Sequence, residues 1–201
     1  MFSRYFCLCL FLTAVLSLVL CYGDTNVVTN GGFESGMDGW SERGCSISAV
    51  TEPVHGGSGG AKVYDRTEAW QGIKQSMLGK MQDGQTYQVS AWVKLESADS
   101  DTVIVSVERA DDVGTKYINV GKAVATSSDW AQISGEFTLD VEGTLTTLDV
   151  YFEGPAAGVS FFVDDVNVSA PIVPAPVEPN EPEEPDEPNQ PDKPEHPDHP
   201  M

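Results

Sequence analysis

The sequence predicts an all-β fold: a two-sheet antiparallel β-sandwich of the jelly-roll kind. Three observations predict it. Apolar and polar residues alternate with period two in run after run. Those runs are separated by the turn signals "DG", "ADS", "DDVG", "EG" and "GPAAG". Between residues 24 and 169 no stretch holds a helical period. Many short strands joined by such turns form a sandwich or a barrel.

The strands follow in chain order. "YQVSAWVKL" (87–95) puts Tyr87, Val89, Ala91 and Val93 on one side and Gln88, Ser90, Trp92 and Lys94 on the other. "TVIVSVE" (102–108) aligns Val103, Val105 and Val107. "TLDVYFEG" (147–154) aligns Leu148, Val150 and Phe152, leaving Asp149, Tyr151 and Glu153 facing away from the core. "VSFFVDDVNV" (159–168) aligns Phe162, Asp164, Val166 and Val168, which predicts an inward carboxylate at Asp164.

Both ends of the chain have a different composition. Arg4 and the apolar run "YFCLCLFLTAVLSLVL" predict a secretory signal peptide over 1–23, and hence an exported, extracellular protein. The run is short for a membrane span. Leu20 before Cys21 does not suit a lipoprotein. Residues 170–201 carry a proline at every third position from Pro176 to Pro200, with acids between them. That pattern reads as a stiff, charged linker in polyproline II conformation, with no capacity for a core. A linker running to Met201 is read as leading to a further module. The domain between, 24–169, is long enough for one proper core.

The chain has 31 acidic and 11 basic residues. Setting aside Arg4, the tail's nine acids and Lys193 leaves 22 acidic and 9 basic residues in 24–169, a net charge of about −13. That charge argues against nucleic acid and anionic membranes as partners, and it suits a neutral ligand. Cys7, Cys9 and Cys21 fall in the signal segment. Cys45 is then alone in the domain, without an internal disulfide partner, and reads as a buried thiol.

"DRTEAWQG" (65–72) sets Trp70 among polar residues, outside any apolar pattern. Together with "NVVTNGGFESGMDGWSERG" (26–44), "GQTYQVSAWVKL" (84–95), "WAQISGEFTL" (130–139), "LDVYFEGP" (148–155) and "FFVDDVNV" (161–168), it makes the domain resemble the carbohydrate-binding modules of family 22, kin of families 4 and 9. The resemblance covers nearly all of 26–169, and the R-T-x-x-W-x-G piece separates family 22 from its kin. It implies a jelly roll that binds xylan or mixed-linked glucan in a cleft on one sheet, in the manner of modules tethered to xylanases. It implies binding residues at Arg43, Trp70, Tyr151 and Glu153, and a softer match at Tyr117. Flat rings suit the C–H face of a sugar, and charged groups suit its hydroxyl rim. The plain alternatives are a surface ion pair from Arg43 to Glu42 or Asp65, burial of Trp70 under a loop, and ordinary strand packing for Tyr117.

The resemblance also implies a structural Ca²⁺ tying the first strand to the last, with Glu34 and one of Asp164 and Asp165 as carboxylates. The predicted inward alternation selects Asp164, and oxygen ligands suit calcium. No zinc pattern is present, since His55, His196 and His199 are not clustered in the domain. Three functions remain at this point. The first is a non-catalytic module holding an attached hydrolase at its polysaccharide. The second is a glycosidase using Glu153 with Asp149. The third is a surface adhesin on a proline-rich stalk. "NVS" at Asn167 is a glycosylation sequon on a strand, a position that argues against its use.

Overall fold

Alternating polarity sorts the chain into eleven strands in a computed structural model that describes residues 25–170; the predicted signal segment and linker lie outside them. In order these are β1 (Thr25–Asn26), β2 (Ser41–Arg43), β3 (Ser46–Val50), β4 (Gly60–Tyr64), β5 (Gly72–Ser76), β6 (Thr86–Leu95), β7 (Asp101–Asp111), β8 (Gly114–Ala125), β9 (Ala131–Thr138), β10 (Thr147–Glu153) and β11 (Phe161–Ala170). One sheet runs β3-β4-β11-β6-β9, with β1 added to β11. The other runs β2-β5-β10-β7-β8. Every pairing is antiparallel. This is the predicted two-sheet sandwich, and no helix occurs among the described residues.

The inner faces interlock. Leu148, Val150 and Phe152 of β10 and Val103, Val105 and Val107 of β7 are fully buried, as the alternation predicts. They pack against Val89, Ala91, Val93 and Leu95 of β6. Each such side chain contributes about 1.5–3 kcal/mol through burial. The core therefore holds without a disulfide. Cys45 is buried and free, its Sγ meeting the Gly72 carbonyl at 3.1 Å, and burial pushes its thiol pKa up.

The alternation predicted for β11 is wrong in its first half. Phe161 and Val163 enter the core, then Val166 and Val168 do. Phe162 and Asp164 lie on the opposite face. A β-bulge between Asp164 and Asn167, with Asp165 at φ 47°, shifts the phase by one residue. Asp164 is buried on the outer face of the sheet, beneath the loop before β4, and not among the core side chains.

Candidate functional site

The cleft is built on the outer face of the β2-β5-β10-β7-β8 sheet. Register places Glu108, Ser106 and Ile104 of β7 beside Asp149, Tyr151 and Glu153 of β10. It places Tyr117, Asn119 and Lys122 of β8 beside the same three β7 residues. Arg43, at the end of β2, pairs with Gly72. Arg43, Trp70, Tyr117, Tyr151 and Glu153 line one open cleft of about 450 Å³. The structure thus brings together the five residues singled out in the sequence.

Their roles in the geometry differ. Trp70 and Tyr117 are 50 % and 61 % exposed, so both rings are open walls. Tyr151 is buried in the floor. The Arg43 guanidinium lies over its ring at 4.0 Å, and also 5.3 Å from Trp70 and 6.0 Å from Tyr117. Tyr151 therefore supports Arg43 instead of offering a free face. Burial, and then the charge of Glu153, pushes its phenol pKa up to about 12. Arg43 pairs with Glu108 at 3.6 Å, not with Glu42 or Asp65, and donates to the Trp70 carbonyl. Ser106 Oγ lies 2.9 Å from Glu153 Oε1 and 3.0 Å from Asn119 Oδ1, and its single proton serves the charged acceptor. Asp149 is buried and held by Lys74 at 2.7 Å.

Trp70 is held open by its loop. Arg66 is 3 % exposed, and its guanidinium reaches six carbonyls: Glu68, Ala69 and Gln71 in its own loop, Pro155, Ala156 and Val159 in the loop after β10. That burial pulls its pKa down. Gln71 Oε1 accepts from the amides of Thr67 and Glu68 and closes the turn. The Trp70 ring then lies on Gly44, at φ +77°, where an added Cβ would sit 2.9 Å from the indole. Gly72 does not turn the chain beside the ring. It lets β5 approach β10, since a Cβ there would meet the Phe152 carbonyl at 1.7 Å. The sequence reading missed Arg66, Gly44, Ser106 and Glu108. The arginine of R-T-x-x-W-x-G carried a signal, because a fixed arginine beside the ligand-facing ring calls for a task.

Glu34 and Asp164 lie on the other side of the sandwich, at either end of one loop. Glu34 accepts from the Ser58 amide at 2.8 Å, the Ser58 hydroxyl at 2.6 Å and the Gly59 amide at 3.2 Å, and these bonds lower its pKa. Asp164 accepts from the amides of His55, Gly56 and Asp165, yet burial dominates and raises its pKa. Asp165 meets His55 Nδ1 at 2.6 Å. N–H groups point at these oxygens where a cation would need carbonyls. No cluster of three metal-ligating side chains occurs among the described residues. As arranged, the pair does not fit a calcium ion.

A β-sandwich with an open, aromatic-walled cleft on one sheet defines a carbohydrate-binding module. The family model described as "Carbohydrate binding domain", that of families 4 and 9, matches residues 25–158, and the chain belongs to that family. It is 40 % identical over 153 residues to endo-1,4-beta-xylanase A of Thermoanaerobacterium saccharolyticum and 39 % identical over 151 residues to exoglucanase XynX of Acetivibrio thermocellus. Each match covers 73 % of this chain, but only 13 % and 14 % of those enzymes. The fold is that of the CBM22-1 xylan-binding domain from Paenibacillus barcinonensis Xyn10C, with a TM-score of 0.67, 23 % identity, and 76 % of this chain and 98 % of that one covered.

Proposed function

We propose that the domain binds β-1,4-xylan, or a mixed-linked β-glucan, through Arg43, Trp70, Tyr117 and Glu153, with Tyr151 as the floor that supports Arg43, and keeps an attached hydrolase at its substrate outside the cell. The observation that carries this reading is the convergence of these five side chains in one cleft. Trp70 and Tyr117 offer flat walls to the C–H faces of a sugar. Arg43 and Glu153 offer a donor fork and a carboxylate to its hydroxyls. The xylanase and exoglucanase relatives, of which the match is one segment, support the attached hydrolase. Tethering raises the enzyme's local concentration without any new catalytic contact.

Hydrolysis by the domain itself has less support. It needs two carboxyl groups free to act across the bond. Asp149 is engaged by Lys74. Affinity electrophoresis in gels containing xylan, mixed-linked glucan or cellulose tests the proposal, with Trp70→Ala beside the parent. The parent is expected to be retarded by xylan or mixed-linked glucan and the variant to run free. A variant retarded like the parent in every gel sinks the site, and sugar release by the purified chain sinks the non-catalytic reading.

A further inference from the structure

Nine basic side chains lie between residues 24 and 169, in a domain of net charge about −13. Arg43, Lys62, Lys74, Arg109 and Lys116 meet carboxylates. Arg66, Lys80 and Lys94 meet neutral oxygens. Of these nine side chains Lys122 alone has no hydrogen-bond or ionic partner among the described residues, and it stands on the cleft face. Ile104 of β7 is the register neighbour of Lys122 of β8 and also of Glu153 of β10. Lys122 and Glu153 therefore flank Ile104 on one face, two strand spacings or about 10 Å apart. At that distance they form no ion pair. Lys122 is left without a partner, and Glu153 is held only by Ser106.

Lys122 also has room beside it. With Ile104, Asn119, Val120 and Gly121 it lines a second pocket of about 240 Å³, on the same sheet face as the main cleft. Ile104 and Val120 give an apolar wall, Asn119 a hydrogen-bonding edge, and Lys122 one exposed positive charge.

Resting on the carbohydrate-binding reading, we propose that this pocket is a subsite for a carboxylate-bearing branch, a uronic acid carried on an otherwise neutral glycan backbone. The backbone lies along Trp70, Tyr117 and Glu153, and the branch carboxylate meets the Lys122 ammonium. The charge of the domain decides between a branch and a fully acidic backbone. A polyanion is repelled by the acidic surface as a whole, whereas one sparse carboxylate placed at the single free cation is not.

Calorimetry with three probes tests this. They are a linear xylo-oligosaccharide, one of equal backbone length bearing a single glucuronic acid branch, and an oligogalacturonide whose carboxylates lie in the backbone. The branched probe is expected to bind the parent roughly five-fold tighter than the linear one at low salt, and the gain shrinks as salt rises. Lys122→Gln brings the ratio to one, and Lys122→Glu turns it below one. A ratio of one in the parent, or an undiminished ratio in Lys122→Gln, overturns the proposal and leaves the neutral-glycan reading standing if the linear probe binds. Tightest binding of the oligogalacturonide overturns the branch assignment. Absence of binding by all three probes to folded protein overturns both readings.

Discussion

Both outer faces of the sandwich carry tryptophan beside a charged or titratable side chain, yet only one leaves a ring open. On the cleft side Trp70 is half exposed and Arg43 lies underneath, held against Tyr151 and Glu108. On the opposite side Trp92 is already occupied. His55 stacks on it at 3.9 Å and 12°, and meets Trp130 edge-on at 5.8 Å. His55 is in turn fixed by Asp165, and the loop that carries it is pinned by Glu34 and Asp164. Aromatic residues outside the core are thus poor evidence of a binding surface by themselves. What separates the faces is whether the loop next to the ring folds over it or is tied back from it. Arg66 ties the Trp70 loop back through carbonyls, while amides on two carboxylates draw the His55 loop down.

The largest effect on this contrast is expected at Arg66. Its removal leaves several buried carbonyls without a donor and releases the loop that positions Trp70. Arg66→Leu is expected to cost about 3–5 kcal/mol of stability, a fall of roughly 10 °C in Tm, together with glycan retention. Lysine, with three donors on a flexible stem, restores only part of either. Thermal scans and xylan gels read both. Retained binding in a destabilised Arg66→Leu protein breaks the link between this arginine and the open ring.

Next come the two tryptophans, with opposite outcomes. Trp70→Ala removes an exposed wall, so it is expected to lower xylan affinity at least ten-fold and to leave stability within about 0.5 kcal/mol. Trp92→Ala leaves His55 without its stacking partner, so it is expected to cost about 2 kcal/mol of stability and to leave affinity unchanged. Urea titrations and affinity gels on both variants measure the contrast directly. Loss of glycan binding in Trp92→Ala would make the opposite face a binding surface and undo the comparison.

How far the two faces were legible in sequence follows from the range of the interactions involved. β10 reads directly because alternation is local: Leu148, Val150 and Phe152 go in, and Tyr151 and Glu153 face the cleft. β11 misleads because its bulge lies in one left-handed residue, Asp165, which no period-two pattern records. The five cleft residues came from a family resemblance, and alternation alone supplied only Tyr151 and Glu153. The shielding of Tyr151 by Arg43, the Glu108 partner and the carbonyl fan of Arg66 join segments tens of residues apart, so they become visible only once the sheets are assembled.

The smallest effect is expected from chelation, and it bears on how the covered face is held. The sequence resemblance called for calcium at Glu34 and one of Asp164 and Asp165, and alternation selected Asp164. In the folded chain both carboxylates already have donors: Ser58 and Gly59 for one, His55, Gly56 and Asp165 for the other. A cation at either carboxylate would have to displace these amides, exchanging charge-assisted hydrogen bonds for coordination. Tm is therefore expected to agree within about 1 °C between EDTA-treated protein and protein in millimolar calcium, and Glu34→Gln is expected to lower Tm equally in both. A calcium-dependent rise of several degrees that disappears in Glu34→Gln would reverse this account. The covered face would then be closed by a metal, with the amide bonds in place only until the ion binds.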